Sequence, residues 1–225
     1  LEGISLDEIA EGYALTCVAK PASNIEIEST YCPELDGIEA ALFPCKVEKI
    51  NFPVNDIAVL TLRLPPKADF NYLPGQYIDL MWKGVRRSYS IANFYHKKLG
   101  LELHIRRVTN GVFSHFVFEE LKPATLLRLD GPHGTFFVRE SDAPIIFLAG
   151  GTGIAPIKAM VEQLQSQSSE RSIFIYWGVD SPEHIYIDST EVWQNDINNV
   201  VFTQVVSGID SHWAGRRGLV HTAVM

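Results

Sequence analysis

The chain has 225 residues, 46% hydrophobic and 20% charged, with a formal net charge of −8; this is the composition of a globular protein with a sizeable core, and it excludes fibrous and disordered classes. The charge is uneven, since residues 1–44 carry nine carboxylates against Lys20 alone and the remainder balances at 18 acids and 18 bases. No basic tract is left to follow a nucleic-acid backbone, and no run nears the roughly 18 apolar residues of a membrane span.

Residues 1–28 combine a short helix signal around Asp7-Glu8-Ile9 with alternation at Ala14–Val18 and Ile25–Glu28, and residues 29–44 read as a Pro- and Gly-bearing linker. Residues 45–140 then read as short strands at Cys45–Ile50, Ile57–Leu64, Gln76–Trp82, Ser88–Ala92, Leu101–Arg106 and Leu126–Leu129. The turn signals Pro65-Pro66, Pro74-Gly75, Asn110-Gly111 and Gly131-Pro132 separate them. Six such strands predict a small antiparallel barrel. From residue 141 the period changes: strand Ile145–Ala149, a helix with Ile157, Met160, Val161 and Leu164 on one face, then strands Ile173–Trp177 and Val200–Val206. That alternation predicts an α/β domain built on a parallel sheet over 141–225, whose ligands bind at the carboxyl ends of the strands.

Three segments carry chemistry. Gly150-Gly151-Thr152-Gly153-Ile154-Ala155-Pro156 follows an apolar strand and opens a helix. Its glycines let backbone N–H groups approach a pyrophosphate, and Pro156 gives up no needed donor; a strand-to-helix turn without a ligand is the plainer alternative. Arg87-Ser88-Tyr89-Ser90 reads either as ordinary alternation on a barrel strand or as a flavin site. In the second reading Arg87 pairs with a diphosphate, Tyr89 stacks on a flat heteroaromatic and Ser90 donates to a ring nitrogen. After His104-Ile105-Arg106-Arg107-Val108 comes Gly111-Val112-Phe113-Ser114, which opens a helix; Ser114 could cap it, or its first N–H groups could take the same diphosphate.

Together with Gly131-Pro132-His133-Gly134, these motifs in this order are similar to those of the ferredoxin–NADP reductase superfamily. The resemblance covers residues 45–225. It implies an FAD-binding barrel, with Arg87, Ser88, Tyr89, Ser90, Ile105, Arg106, Val108, Gly111, Val112, Phe113 and Ser114 at the flavin. A nicotinamide-binding domain is implied beside it, with Gly150, Gly151, Thr152, Gly153, Pro156, Gly178, Val179 and Asp180 at the dinucleotide. Hydride transfer from NADH to FAD follows from the resemblance, with Ser90, Tyr89 and Thr152 as the residues nearest the chemistry.

Residues 12–24 resemble the end of a plant-type ferredoxin, a family in which Cys17 would be the fourth ligand of a two-iron, two-sulfur cluster. The Cys-x4-Cys-x2-Cys run such a cluster needs is absent here, so the cluster is expected only in a longer parent protein. The chain opens without Met and reads as a piece of something longer. Cys17, Cys32 and Cys45 form neither a zinc pattern nor an even disulfide set, and the cytoplasm is the expected compartment.

This domain order is that of reductases feeding ring-hydroxylating oxygenases and of a reductase branch of dideoxysugar synthesis that serves a dehydrase. Tyr31-Cys32-Pro33-Glu34-Leu35 and Tyr176-Trp177-Gly178-Val179 are more similar to the sugar branch. The expected partner is therefore a dehydrase, with an oxygenase component as the alternative. A module that leaves NADH oxidation to another protein, or a scaffold without cofactors, stays open at this point. Gly178–Asp188 contains no Arg or Lys for a 2′-phosphate, and Asp180 would repel one, so NADH is the expected coenzyme. His184 and the pair Arg216-Arg217 read as solvated turn residues.

Overall fold

The computed structural model describes residues 4–15, 19–26, 32–94, 100–187, 199–208 and 212–224. The chain divides into two units, Leu1–Glu34 and Leu35–Met225. In the first, helix α1 (Leu6–Ala10) begins with a capping box. The Ser5 hydroxyl accepts from the Glu8 N–H at 3.2 Å, and Glu8 accepts from the Ser5 N–H at 2.8 Å, so two otherwise orphaned helix-end donors are satisfied. Cys17 and most of the two alternating stretches lie outside the described residues.

The second unit opens with a six-stranded antiparallel sheet: β1 (Ala41–Val54), β2 (Ile57–Arg63), β3 (Tyr77–Trp82), β4 (Val85–Ser90), β5 (Leu101–Arg106) and β6 (Leu126–His133), in the order β4-β3-β6-β1-β2-β5. A bridge between Ile91 and Leu103 draws the two edge strands together, so the sheet curls into a barrel. Inward positions alternate along each strand and fill the interior with Leu60, Leu62, Ile78, Leu80, Leu103, Ile105 and Leu129, capped by Phe113. Strand β1 is longer than its sequence predicts. Pro44 there has only β6 as a neighbour, because pairing with β2 starts at Lys46; a proline without N–H fits such a half-paired position, although in sequence it reads as a strand stop. Cys45 is buried in this core, and burial pushes its thiol up to about 12.

Past the barrel, β7 (Ile145–Gly150), β8 (Ile173–Val179), β9 (Val200–Val206) and β10 (Arg216–Arg217) form a parallel sheet in the order β10-β9-β8-β7. Helix α3 (Ile154–Ser166) crosses from β7 to β8 and lays Ile157, Met160, Val161 and Leu164 on Phe147, Ile173, Ile175 and Trp177. The spacing of those four helix residues is the i, i+3, i+4, i+7 stripe read from the sequence. Arg216 and Arg217 are exposed, yet they pair in parallel with Val205 and Val206 rather than forming a free turn. Among the described residues no helix is long and apolar enough to cross a membrane.

Candidate cofactor sites

On β4, alternation sends neighbouring side chains to opposite faces. Arg86 and Ser88 share a face with Asp79, which is paired with Ser88 across the sheet. The Ser88 hydroxyl donates to Asp79, and Arg86 donates through Nε to Asp79 at 2.6 Å and through Nη2 to Asp130 at 2.6 Å. Burial alone would raise the Asp79 pKa, but Ser88 and Arg86 more than offset it and hold the carboxyl below its usual range. Asp79, Asp130 and His133 have the spacing of metal ligands. The Arg86 guanidinium pairs with both carboxylates and balances one of their two charges.

This cluster has a pH signature. A carboxyl whose folded pKa is depressed contributes stability that is full above its unfolded pKa of about 4 and is lost as pH falls through the lower folded value. Asp79→Asn is therefore expected to flatten the fall of Tm below about pH 4, so that its deficit against the parent chain at pH 7 shrinks by pH 2.5. Thermal melts across that range check it, and a deficit that stays constant would exclude the assignment.

Arg87 and Tyr89 face the other way. The Tyr89 ring lies 5.8 Å from that of Phe113 on helix α2 (Val112–His115). Burial raises its hydroxyl to about 12 against the opposing charge of Arg87, so the phenol is neutral at any physiological pH. Arg87 donates to the Arg86 carbonyl at 2.7 Å, and among the described residues it has no carboxylate within ion-pair distance. An exposed guanidinium two residues from a half-buried aromatic fits a diphosphate tethered to a flat ring.

Helix α2 starts at Gly111 with no side-chain cap, leaving its first N–H groups available. Ser114 does not cap it. Its buried hydroxyl accepts from the Val108 N–H at 3.1 Å and so shapes the 108–111 turn. A cleft of 670 Å³ opens beside this turn, walled by Trp82, Arg107, Val108, Thr109, Asn110, Gly111 and Val112. Val108, Gly111 and Val112 thus meet in one cleft, whereas Arg87, Tyr89 and Ser90 are not among its lining residues. Ile105 and Phe113 are buried in the barrel core with essentially no exposed surface.

At the other site, β7 runs into the turn Gly151–Gly153 and then α3, with Gly153 at the cap position and no side-chain cap. Thr152 is half-buried in the turn, and Pro156 sits in the first turn of the helix, where an amide hydrogen is not needed. Gly151 adopts φ +51°, and a β-carbon there would come within 3.3 Å of Arg106 Nη1. Its carbonyl accepts from the Trp177 indole at 2.8 Å, which anchors the loop to the sheet core. Gly178 is needed for space, since a β-carbon would lie 2.8 Å from that of Val220.

Gly150, Gly151, Gly178, Val179 and Asp180 line a single pocket of 300 Å³ at the carboxyl ends of the strands. Ser207, Gly218, Leu219 and Val220 complete it, and no sequence signal singled them out as ligand-facing. The barrel contributes Arg106, a residue the sequence groups with the flavin. Arg106 Nε donates to Asp56 at 2.9 Å, and its Nη2 lies 3.5 Å from Asp180. His184 corrects its expected role. It is no free loop residue, because its Nδ1 is 2.5 Å from Asp180 and its Nε2 is 3.8 Å from Asp56. Burial works against the Asp180 charge, but the His184 bond and the charges of His184 and Arg106 hold its carboxyl below the usual range.

Residues 44–138 match an oxidoreductase FAD-binding domain and residues 147–225 an oxidoreductase NAD-binding domain. The chain is 50% identical over 219 residues to the CDP-6-deoxy-L-threo-D-glycero-4-hexulose-3-dehydrase reductase of Yersinia pseudotuberculosis serotype I (strain IP32953), a match covering 97% of this chain and 67% of that protein. To reductase component 2 of a Comamonas terephthalate 1,2-dioxygenase it is 35% identical, over 80% of this chain and 54% of that one. Among solved structures, a cytochrome P450 reductase of Amycolatopsis superposes with a TM-score of 0.77 at 27% identity, over 98% of this chain and 68% of that one. The chain thus spans about two thirds of the length of its dehydrase-reductase relative.

Proposed function

Because the chain belongs to the FAD- and NAD-binding oxidoreductases of the ferredoxin reductase superfamily, we propose that it takes hydride from NADH onto FAD and passes single electrons, by way of a two-iron, two-sulfur cluster, to a dehydrase acting on a nucleotide-linked deoxysugar. Bound FAD supplies a two-electron acceptor that can release its electrons one at a time. The residues supply geometry and charge. Tyr89 offers a neutral ring for stacking, Arg87 an exposed cation for the diphosphate, and Ser90 a hydroxyl at the end of the same strand. The uncapped start of α3 and Arg106 offer positive charge to a dinucleotide phosphate.

One observation carries this reading: Gly150 and Gly151 of the glycine loop, Arg106 of the barrel and Asp180 just past β8 line one pocket. The dehydrase as partner rests on 50% identity to a dehydrase reductase; the 35% relative supports an oxygenase component as the second reading. A cytoplasmic setting suits a nicotinamide reaction in a chain without a disulfide framework.

Asp180 sets the coenzyme preference in this proposal. Its carboxylate is 63% exposed at the pocket, where it accepts from a free ribose hydroxyl and repels a 2′-phosphate. Anaerobic mixing of the FAD-loaded chain with NADH is expected to bleach the flavin with a specificity constant at least about tenfold above that for NADPH, roughly 1.4 kcal/mol. Asp180→Ala is expected to narrow that gap by about the same factor. A flavin that NADH leaves oxidised would overturn the function, and a ratio at or below one would overturn the coenzyme assignment.

A further inference from the structure

Between barrel and sheet domain lies a group of charged side chains that the cofactor sites do not use. Lys158 stands one turn into α3 with its side chain only 15% exposed. Its ammonium lies 3.1 Å from Glu102 of β5 and 2.5 Å from Glu162 of α3, and it donates to the Ala92 carbonyl at 3.2 Å. All three of its donors are thereby used. Glu162 turns its other oxygen to the Phe94 N–H at 2.7 Å. Glu102 in turn lies 2.9 Å from His104 Nε2, and His104 Nδ1 lies 3.0 Å from the Tyr186 hydroxyl. A carboxylate only accepts, so Nε2 carries the hydrogen.

Ala92 and Phe94 follow Ser90 by two and four residues, and α3 begins directly after the glycine loop. Helix rise places Lys158 about 7.5 Å beyond Gly153. The segment held by Lys158 and Glu162 is itself fixed to β5, through the Ala92 N–H to the Glu102 carbonyl at 2.8 Å and the Glu102 N–H to the Asn93 side chain at 2.9 Å. A rigid path of a few residues therefore joins the dinucleotide loop to the end of the flavin motif.

We propose that Lys158 and Glu162 are positioning residues that set the separation between the glycine loop and Ser90, and so the approach of the nicotinamide to the flavin. This rests on the function proposed above. A partly buried ion network is weak evidence for stability, because desolvation cancels much of the attraction, whereas its directional bonds fix geometry. In hydride transfer, small errors of placement are costly.

The test uses the full chain with Lys158→Met, Lys158→Arg and Glu162→Gln. In cofactor-free protein, hydrogen exchange at the Phe94 amide and across 151–160 is expected to quicken at least about tenfold in Lys158→Met. In FAD-loaded protein, the limiting rate of flavin bleaching is expected to fall at least about tenfold while the NADH dissociation constant changes less than about threefold. Lys158→Arg restores both to within about threefold. If Lys158→Met fails to fold, Glu162→Gln carries the test with about a threefold fall in the limiting rate. Parent-like exchange and rate in the variant overturn the proposal, as does a loss carried wholly by the NADH dissociation constant. Failure of the parent chain to be bleached by NADH would instead count against the function, and the exchange experiment would still report on the clamp.

Discussion

Tyr89→Ala is expected to weaken FAD retention by about 5- to 150-fold, the ~1–3 kcal/mol that one aromatic–base stack is worth. Tyr89→Phe is expected to change it by less than about threefold, because a phenol with its pKa near 12 contributes its ring and not a charge. Fluorescence titration of cofactor-free protein with FAD measures both. The ring also packs beside Phe113 at the edge of the barrel core, so a melt of the cofactor-free variant separates lost packing from lost stacking. Equal affinities for the parent chain and the alanine variant would remove Tyr89 from the flavin site.

Trp177→Ala is expected to destabilise the fold by about 3–5 kcal/mol, the usual range for truncating a large buried aromatic. Trp177 has no exposed surface, and it meets Phe202 and Tyr186 as well as the α3 stripe. Trp177→Phe separates packing from anchoring. It keeps most of the ring volume but releases the Gly151 carbonyl, for about 0.5–1.5 kcal/mol. Denaturant melts give the two stabilities. For the phenylalanine variant, NADH affinity is expected to drop several-fold with FAD retention unchanged; loss of FAD instead would contradict the separation of the two sites.

The architecture was legible because strand and helix periods are local. Val59, Thr61 and Arg63 alternate with buried Ala58, Leu60 and Leu62, and the glycine run stands at a strand end where such runs bend the chain. Prolines misled at β1, since sequence does not show which edge of a strand lies unpaired. The interactions that escaped were long-range. Arg86 meets Asp130 across 44 positions, and Lys158 meets Ala92 across 66. Neither pair lies in a motif, and each looks like ordinary surface charge until the sheet and the helix are assembled. Arg106 was legible as a cofactor-site residue, but the direction of its side chain was not. It stands at the end of a barrel strand, and whether its long side chain turns to the flavin cleft or to the neighbouring domain depends on Asp56 and Asp180, distant in sequence.

The ring of Asp56, Arg106, Asp180 and His184 bears on how coenzyme preference drifts over generations. Asp180 holds down two cationic or protonatable neighbours while presenting its own charge to the pocket. One nucleotide change that neutralises it would remove a repulsion and leave the guanidinium and the imidazole with Asp56 as their remaining acidic neighbour in the ring. If Asp180 sets the preference as proposed, a lineage with this arrangement would stand one codon from a weaker discrimination between the two reductants.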